Sequence, residues 1–78
     1  MTKTEAAATI ALHVNVAARR SGKVIDKMLV AEIMSEFGCG HRGPFLADAA
    51  NTANWRTVLS AARKHAREQG EYHLIAAK

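Results

Sequence analysis

The sequence predicts a small, mainly α-helical single domain, and three observations carry that expectation. Long stretches run without Gly or Pro between short glycine breaks; alanine supplies much of the 49% hydrophobic content; and only four of the 78 residues are Phe, Trp or Tyr. Such a chain has a thin, closely packed core, with Trp55, Phe37, Phe45 and Tyr72 as its largest expected fillers. A core of this size gives only ~3–5 kcal/mol of net stability, so a homodimer or a larger complex is expected.

Thr2 and Glu5 have the T-x-x-E spacing of a capping box, and no Gly or Pro follows until Gly22, which predicts a first helix from Thr4 to Arg20. Ala7, Ile10, Val14 and Ala17 form one apolar row; Ala8, Leu12 and Val16 form another. A helix apolar on so much of its surface is expected to pack on more than one neighbour, within the domain or across a dimer. Asp26 reads as the N-cap of a second helix, in which Leu29, Ile33 and Phe37 make an i, i+4, i+8 stripe ending at Gly38. Its Glu32 and Glu36 would repel a phosphate backbone.

GCGHRG, residues 38–43, holds three glycines in six positions and breaks the regular structure. Pro44 suits the first position of a short helix ending near Asn51. Thr52 or Asn54 then caps a long helix that stops at Gly70. The tail has strand character from Tyr72 to Ile75. Its expected partner is GKVI, so that residues 22–25 and 72–76 form a minimal two-stranded patch resembling the sheet of a winged-helix domain. Pairing of the tail with its copy in a second subunit, or with another protein at the exposed edge, is the alternative.

Eleven Lys and Arg against seven Asp and Glu give a net charge of +4, which suits a partner rich in phosphate or carboxylate. The distribution is uneven. Thr52 to Gly70 carries four basic residues and one acid, whereas Asp26 to Phe37 carries three acids and one Lys. On a helix of about 100° per residue, Arg56, Ser60, Arg63 and Arg67 fall within a sector of about 60°, separate from an apolar face of Trp55, Val58, Leu59, Ala62 and Ala66.

Residues 47–61, ADAANTANWRTVLSA, resemble the helix-turn-helix of bacterial and phage repressors, within a broader likeness over residues 44–69. The resemblance gives Ala47 the close-contact position, Asn51 the turn, and Thr57 with Val58 the anchor. The turn is one residue longer than the family's usual one, and Asn51 stands where Gly is commoner. A second segment, IDKMLVAEIMSEFG at residues 25–38, also reads like the first helix of such a motif, with Ala31 as its small residue. The later segment is favoured because the helix that follows it is the basic one.

The resemblance implies a DNA-binding transcriptional repressor or accessory factor, dimeric, acting on double-stranded DNA. Asn54, Arg56, Thr57 and Ser60 would then face bases, with bidentate pairs to adenine or guanine contributing roughly 1–3 kcal/mol of discrimination each. Arg63, Lys64 and Arg67 would meet phosphates and set register. The rival expectation is a helical adaptor or inhibitor that docks the same basic face on an acidic protein surface.

No enzyme is expected. Cys39 and His41 make a C-x-H pair that is not a standard zinc spacing, no second close pair exists, and neither a cofactor motif nor a catalytic constellation is recognisable. His13 reads as a core or interface histidine. Cys39 is the sole cysteine, which suits a reducing cytoplasm. No apolar run approaches the ~18–20 residues of a membrane span. Residues 2–20 have a faint likeness to an organelle-targeting helix, but Glu5 and the terminal position of Arg19 and Arg20 favour a structural helix.

Overall fold

The computed structural model describes residues 1–75, and within them the chain is mainly helical. Four helices follow in order: α1 (Lys3–Ser21), α2 (Lys27–Gly38), α3 (Pro44–Thr52) and α4 (Trp55–Glu68). A single 3₁₀ turn, Tyr72–Leu74, closes the described chain.

The helix ends follow from local chemistry. Thr2 Oγ1 accepts the Glu5 N–H at 3.1 Å and the Thr2 N–H donates to Glu5 Oε1 at 3.0 Å, completing the capping box of α1. The bond from the Thr2 N–H holds the Glu5 carboxyl below its ordinary value. Gly22 ends α1 in the left-handed conformation at φ 69°, where a side chain would be strained. Asp26 Oδ1 accepts the Leu29 N–H at 2.9 Å to open α2, and Asn54 Oδ1 accepts the Arg56 N–H at 2.9 Å to open α4. Pro44 sits in the first turn of α3, where its missing N–H leaves no bond unmade.

α1 is the hub. It packs on α4 and α3, while α2 packs on α3 and α4 and more lightly on α1. Consecutive helices α3 and α4 share almost no packing surface. Their link, Ala53–Asn54, is extended, and Asn51 is helical rather than the turn residue. The Asn51 side chain lies over Gly38, where a Cβ would come within 3.4 Å of Asn51 Oδ1. Ala47 is half-buried, and its helix spends its contacts on α1 and α2.

The core is built largely from alanine. Eight of the seventeen buried hydrophobic residues are Ala, namely Ala6, Ala7, Ala11 and Ala18 of α1, Ala49 and Ala50 of α3, and Ala62 and Ala66 of α4. Side chains this small let helix axes approach closely, and Ile10, Val14, Ile25, Val30, Val58 and Phe37 fill what remains. Two expected fillers stand outside: Phe45 is 61% exposed and Tyr72 is 65% exposed. The inward face of α3 is taken by Ala49 and Ala50 with half-buried Leu46, and Phe45 lies off that face in the first turn. Trp55 is half-buried at the edge of the core.

The expected two-stranded patch reduces to one parallel bridge between Ile25 and Ile75 among the described residues. The Ile25 N–H donates to the Leu74 carbonyl at 2.7 Å. Residues 72–74 wind into the 3₁₀ turn instead of extending, because that winding buries Leu74 while Tyr72 and His73 stay in water. Residue 76 of the expected strand lies outside the described residues. The second apolar row of α1 also departs from expectation: Ala8 is exposed, Leu12 is 53% exposed and Val16 is 42% exposed. No helix among the described residues is long and apolar enough to cross a membrane.

Candidate nucleic-acid interface on the fourth helix

α4 presents its two faces as its sequence dictates. Val58, Ala62 and Ala66 are fully buried against the hub, and this row fixes the rotation of the helix about its axis. Arg56, Ser60 and Arg67 are consequently exposed, and Arg63 is half-buried at the margin. These four residues, together with Trp55 and Leu59, line one shallow, open concavity.

Two contacts order the margin. Arg63 Nε donates to the Ile25 carbonyl at 3.4 Å, a long bond that leaves the terminal nitrogens of the guanidinium outside this contact. The Trp55 ring takes Lys27 Nζ at 4.9 Å and the Arg56 guanidinium carbon at 5.5 Å from its centroid, both within cation–π range. Lys27 thus joins the basic face from the first turn of α2.

The charge on this face is not compensated within the described residues. The ion pairs found there are Arg19–Glu71, with two contacts at 2.6 and 2.9 Å, and Lys23–Glu32 at 3.7 Å. Neither involves α4. The Arg19 guanidinium holds the Glu71 carboxyl below its ordinary value, and Glu71 in turn raises Arg19. By contrast, Arg56, Arg63, Lys64 and Arg67 have no carboxylate within 4.0 Å among the described residues.

The expected site residues therefore separate. Arg56, Ser60, Arg63 and Arg67 come together on one concavity. Thr57 and Lys64 are exposed but lie around the helix from it, about 100° from Arg63 or more. Asn54 is exposed, yet its Oδ1 is already committed to the Arg56 N–H. Reading an adenine would need that same oxygen as acceptor, so the cap and the base compete for it. Sequence reasoning missed Lys27 altogether, since nothing local ties it to a helix 28 residues further on. It also placed Trp55 inside the core, although its angular position at the rim of the apolar face pointed to a boundary.

The remaining chemistry-bearing residues are dispersed. Cys39 and His41 are exposed in the glycine-rich turn, and no three His, Cys, Asp or Glu side chains gather within the described residues. His13 is half-buried with its ring edge-on to Phe37 at 5.1 Å, while the Arg42 guanidinium lies 5.6 Å from the same Phe37 ring. No protein-family model, curated protein or solved structure matches this chain.

Proposed function

We propose that the protein binds double-stranded DNA through the basic face of α4, in the manner of a small repressor or accessory factor. The observation that carries this reading is the uncompensated row Arg56, Arg63 and Arg67 on one face of an outward helix. Arg56 and Arg67 are eleven residues apart, about 16 Å along a helix axis, or roughly five base-pair rises of DNA. An α-helix of about 10–12 Å diameter enters a major groove about 12 Å wide. Arg56, Arg63 and Arg67 meet phosphates along one wall, and Lys64 reaches the other.

The reading rests on α4 itself and not on a helix-turn-helix pair, because α3 packs away from α4. Base discrimination falls to Ser60 and Thr57, with Asn54 held back by its capping bond. Most of the affinity is therefore electrostatic and weakly dependent on sequence. Fluorescence anisotropy with a labelled duplex tests it. The parent protein binds and is released by salt; the triple variant Arg56→Ala, Arg63→Ala, Arg67→Ala does not bind. Full binding by the triple variant refutes the proposal.

One observation favours a second reading. Trp55 and Leu59 give the concavity apolar lining, and Trp and Arg are residue types enriched at the hot spots of protein–protein contacts. An acidic protein surface would use both. A complex with such a surface that survives nuclease and needs Trp55 as much as the arginines selects this alternative; Trp55→Ala leaving duplex binding intact selects DNA.

A further inference from the structure

One side of α1 carries a stripe that the fold leaves largely exposed, its Val16 end opening onto the cleft that α1 shares with α2. Ala8 is exposed, and Leu12 and Val16 keep 53% and 42% of their surface in water. The inward face of the same helix is complete without them, with Ala6, Ala7, Ile10, Ala11, Val14 and Ala18 all buried. Spacings of four residues from Ala8 to Leu12 and from Leu12 to Val16 keep the stripe on one side of the helix. Isolated exposed apolar residues need no explanation; a continuous row on one helix offers a surface on which a second helix can pack.

The charges at its ends identify the occupant. Glu5 stands seven residues before Leu12, and Arg19 stands seven residues after it, with Arg20 beside it. All three are exposed. We infer that α1 pairs antiparallel with α1 of a second copy of this chain, about a twofold axis through Leu12. In that register Leu12 meets the partner's Leu12 and Ala8 meets the partner's Val16. Glu5 meets the partner's Arg19 and Arg20, and the reciprocal contact repeats at the other end.

A parallel arrangement reverses the electrostatics, setting Glu5 against Glu5 and arginines against arginines. The antiparallel register is the one in which both ends attract. Arg19 also serves Glu71 through its Nε and one terminal nitrogen and Glu5 Oε1 accepts the Thr2 N–H, so the contact falls to Glu5 Oε2 and to Arg20, which has no carboxylate within 4.0 Å among the described residues although it shares the α1–α2 cleft with Glu32 and Glu36. The interface contains none of Arg56, Arg63 or Arg67, and it stands whether or not α4 binds DNA. The covered area is one face of a helix about 28 Å long, which makes a modest, concentration-dependent dimer.

Sedimentation equilibrium from micromolar to near-millimolar concentration tests the association. The parent chain shifts from monomer to dimer across that range. Leu12→Lys and Val16→Lys each raise the dissociation constant by at least about tenfold while keeping the parent's helical circular dichroism. The two positions serve as independent checks should either variant lose its fold. Crosslinking tests the register in a Cys39→Ser background. Leu12→Cys forms a disulfide dimer on oxidation, and Ala8→Cys mixed with Val16→Cys forms the mixed dimer. Ala8→Cys alone does not, because its two copies lie about 12 Å apart along the axis, beyond disulfide reach. A parent chain that stays monomeric, a dimer indifferent to both lysine substitutions, or efficient self-crosslinking at position 8 overturns the inference.

Discussion

Changing Arg56 and Arg67 together to Ala removes two of the four cations that α4 offers to a duplex, and the outcome can be worked out in advance. Both side chains are exposed and neither is ion-paired within the described residues, so the fold loses only the cation–π contact of Arg56 with Trp55. Four phosphates neutralised by Arg56, Arg63, Lys64 and Arg67 give a slope of log K against log salt of about −3.6. Two neutralised phosphates give about −1.8. Between 50 and 200 mM salt the parent affinity therefore falls roughly 150-fold and that of the double variant only about 12-fold. Anisotropy titrations at four salt concentrations within that range measure both slopes, with circular dichroism confirming equal helicity. A double variant whose slope equals the parent's would refute the assignment of these arginines to phosphates, whatever its absolute affinity.

Four further outcomes are expected from the scaffold. Ile10→Ala, at a fully buried position, destabilises by about 2–5 kcal/mol in urea denaturation, whereas Leu12→Ala at low protein concentration stays within about 0.5 kcal/mol of the parent. Asn54→Ala costs about 0.5–2 kcal/mol through the lost cap and Asn54→Ser recovers most of it; equal stability of all three would remove the capping role. Asn15 is wholly buried, its Nδ2 donating to the Ala11 carbonyl at 3.0 Å and its Oδ1 unpartnered among the described residues. Asn15→Leu is therefore neutral or stabilising by up to about 1–3 kcal/mol in the same assay, and a clear loss of stability would contradict this expectation. Glu71 titrates below its ordinary value, so its pair with Arg19 stabilises above the carboxyl's unfolded pKa and is lost as pH falls through the lowered one. Thermal melts of Arg19→Ala should lie below the parent near neutral pH and converge with it in acid; a constant gap across that range contradicts the ion pair.

Local chemistry made the helix boundaries readable. Thr2 with Glu5, Asp26, Pro44 and Asn54 each act on bonds within a few residues, and the chain order alone specifies those bonds. The basic row of α4 was equally readable, because rotation of the helix is set by Val58, Ala62 and Ala66 in the same segment. What depends on neighbours was not. Phe45 and Tyr72 are large and apolar enough for any core, but α3 turns Ala49 and Ala50 inward and the final 3₁₀ turn chooses Leu74. Tyr72 to Ile75 alternates too briefly to distinguish a strand from a tight helical turn. Which of two apolar rows on α1 would be covered depended on where α3 and α4 settle. The approach of Lys27 to Trp55 likewise exists only once α2 and α4 are side by side.

The alanine core reaches beyond packing, into the temperature response of the molecule. Unfolding exposes little new apolar surface at each of those eight positions, and the heat-capacity increment of unfolding scales with that surface. The increment should lie at or below the lower end of the usual range, about 12 cal/mol/K per residue. Curvature of the stability profile falls with it, so modest stability is spread over a broad span of temperature. Cold unfolding recedes to lower temperatures for the same reason. A protein of this size held together by closely set methyl groups is thus expected to change little in folded fraction between cold and warm surroundings.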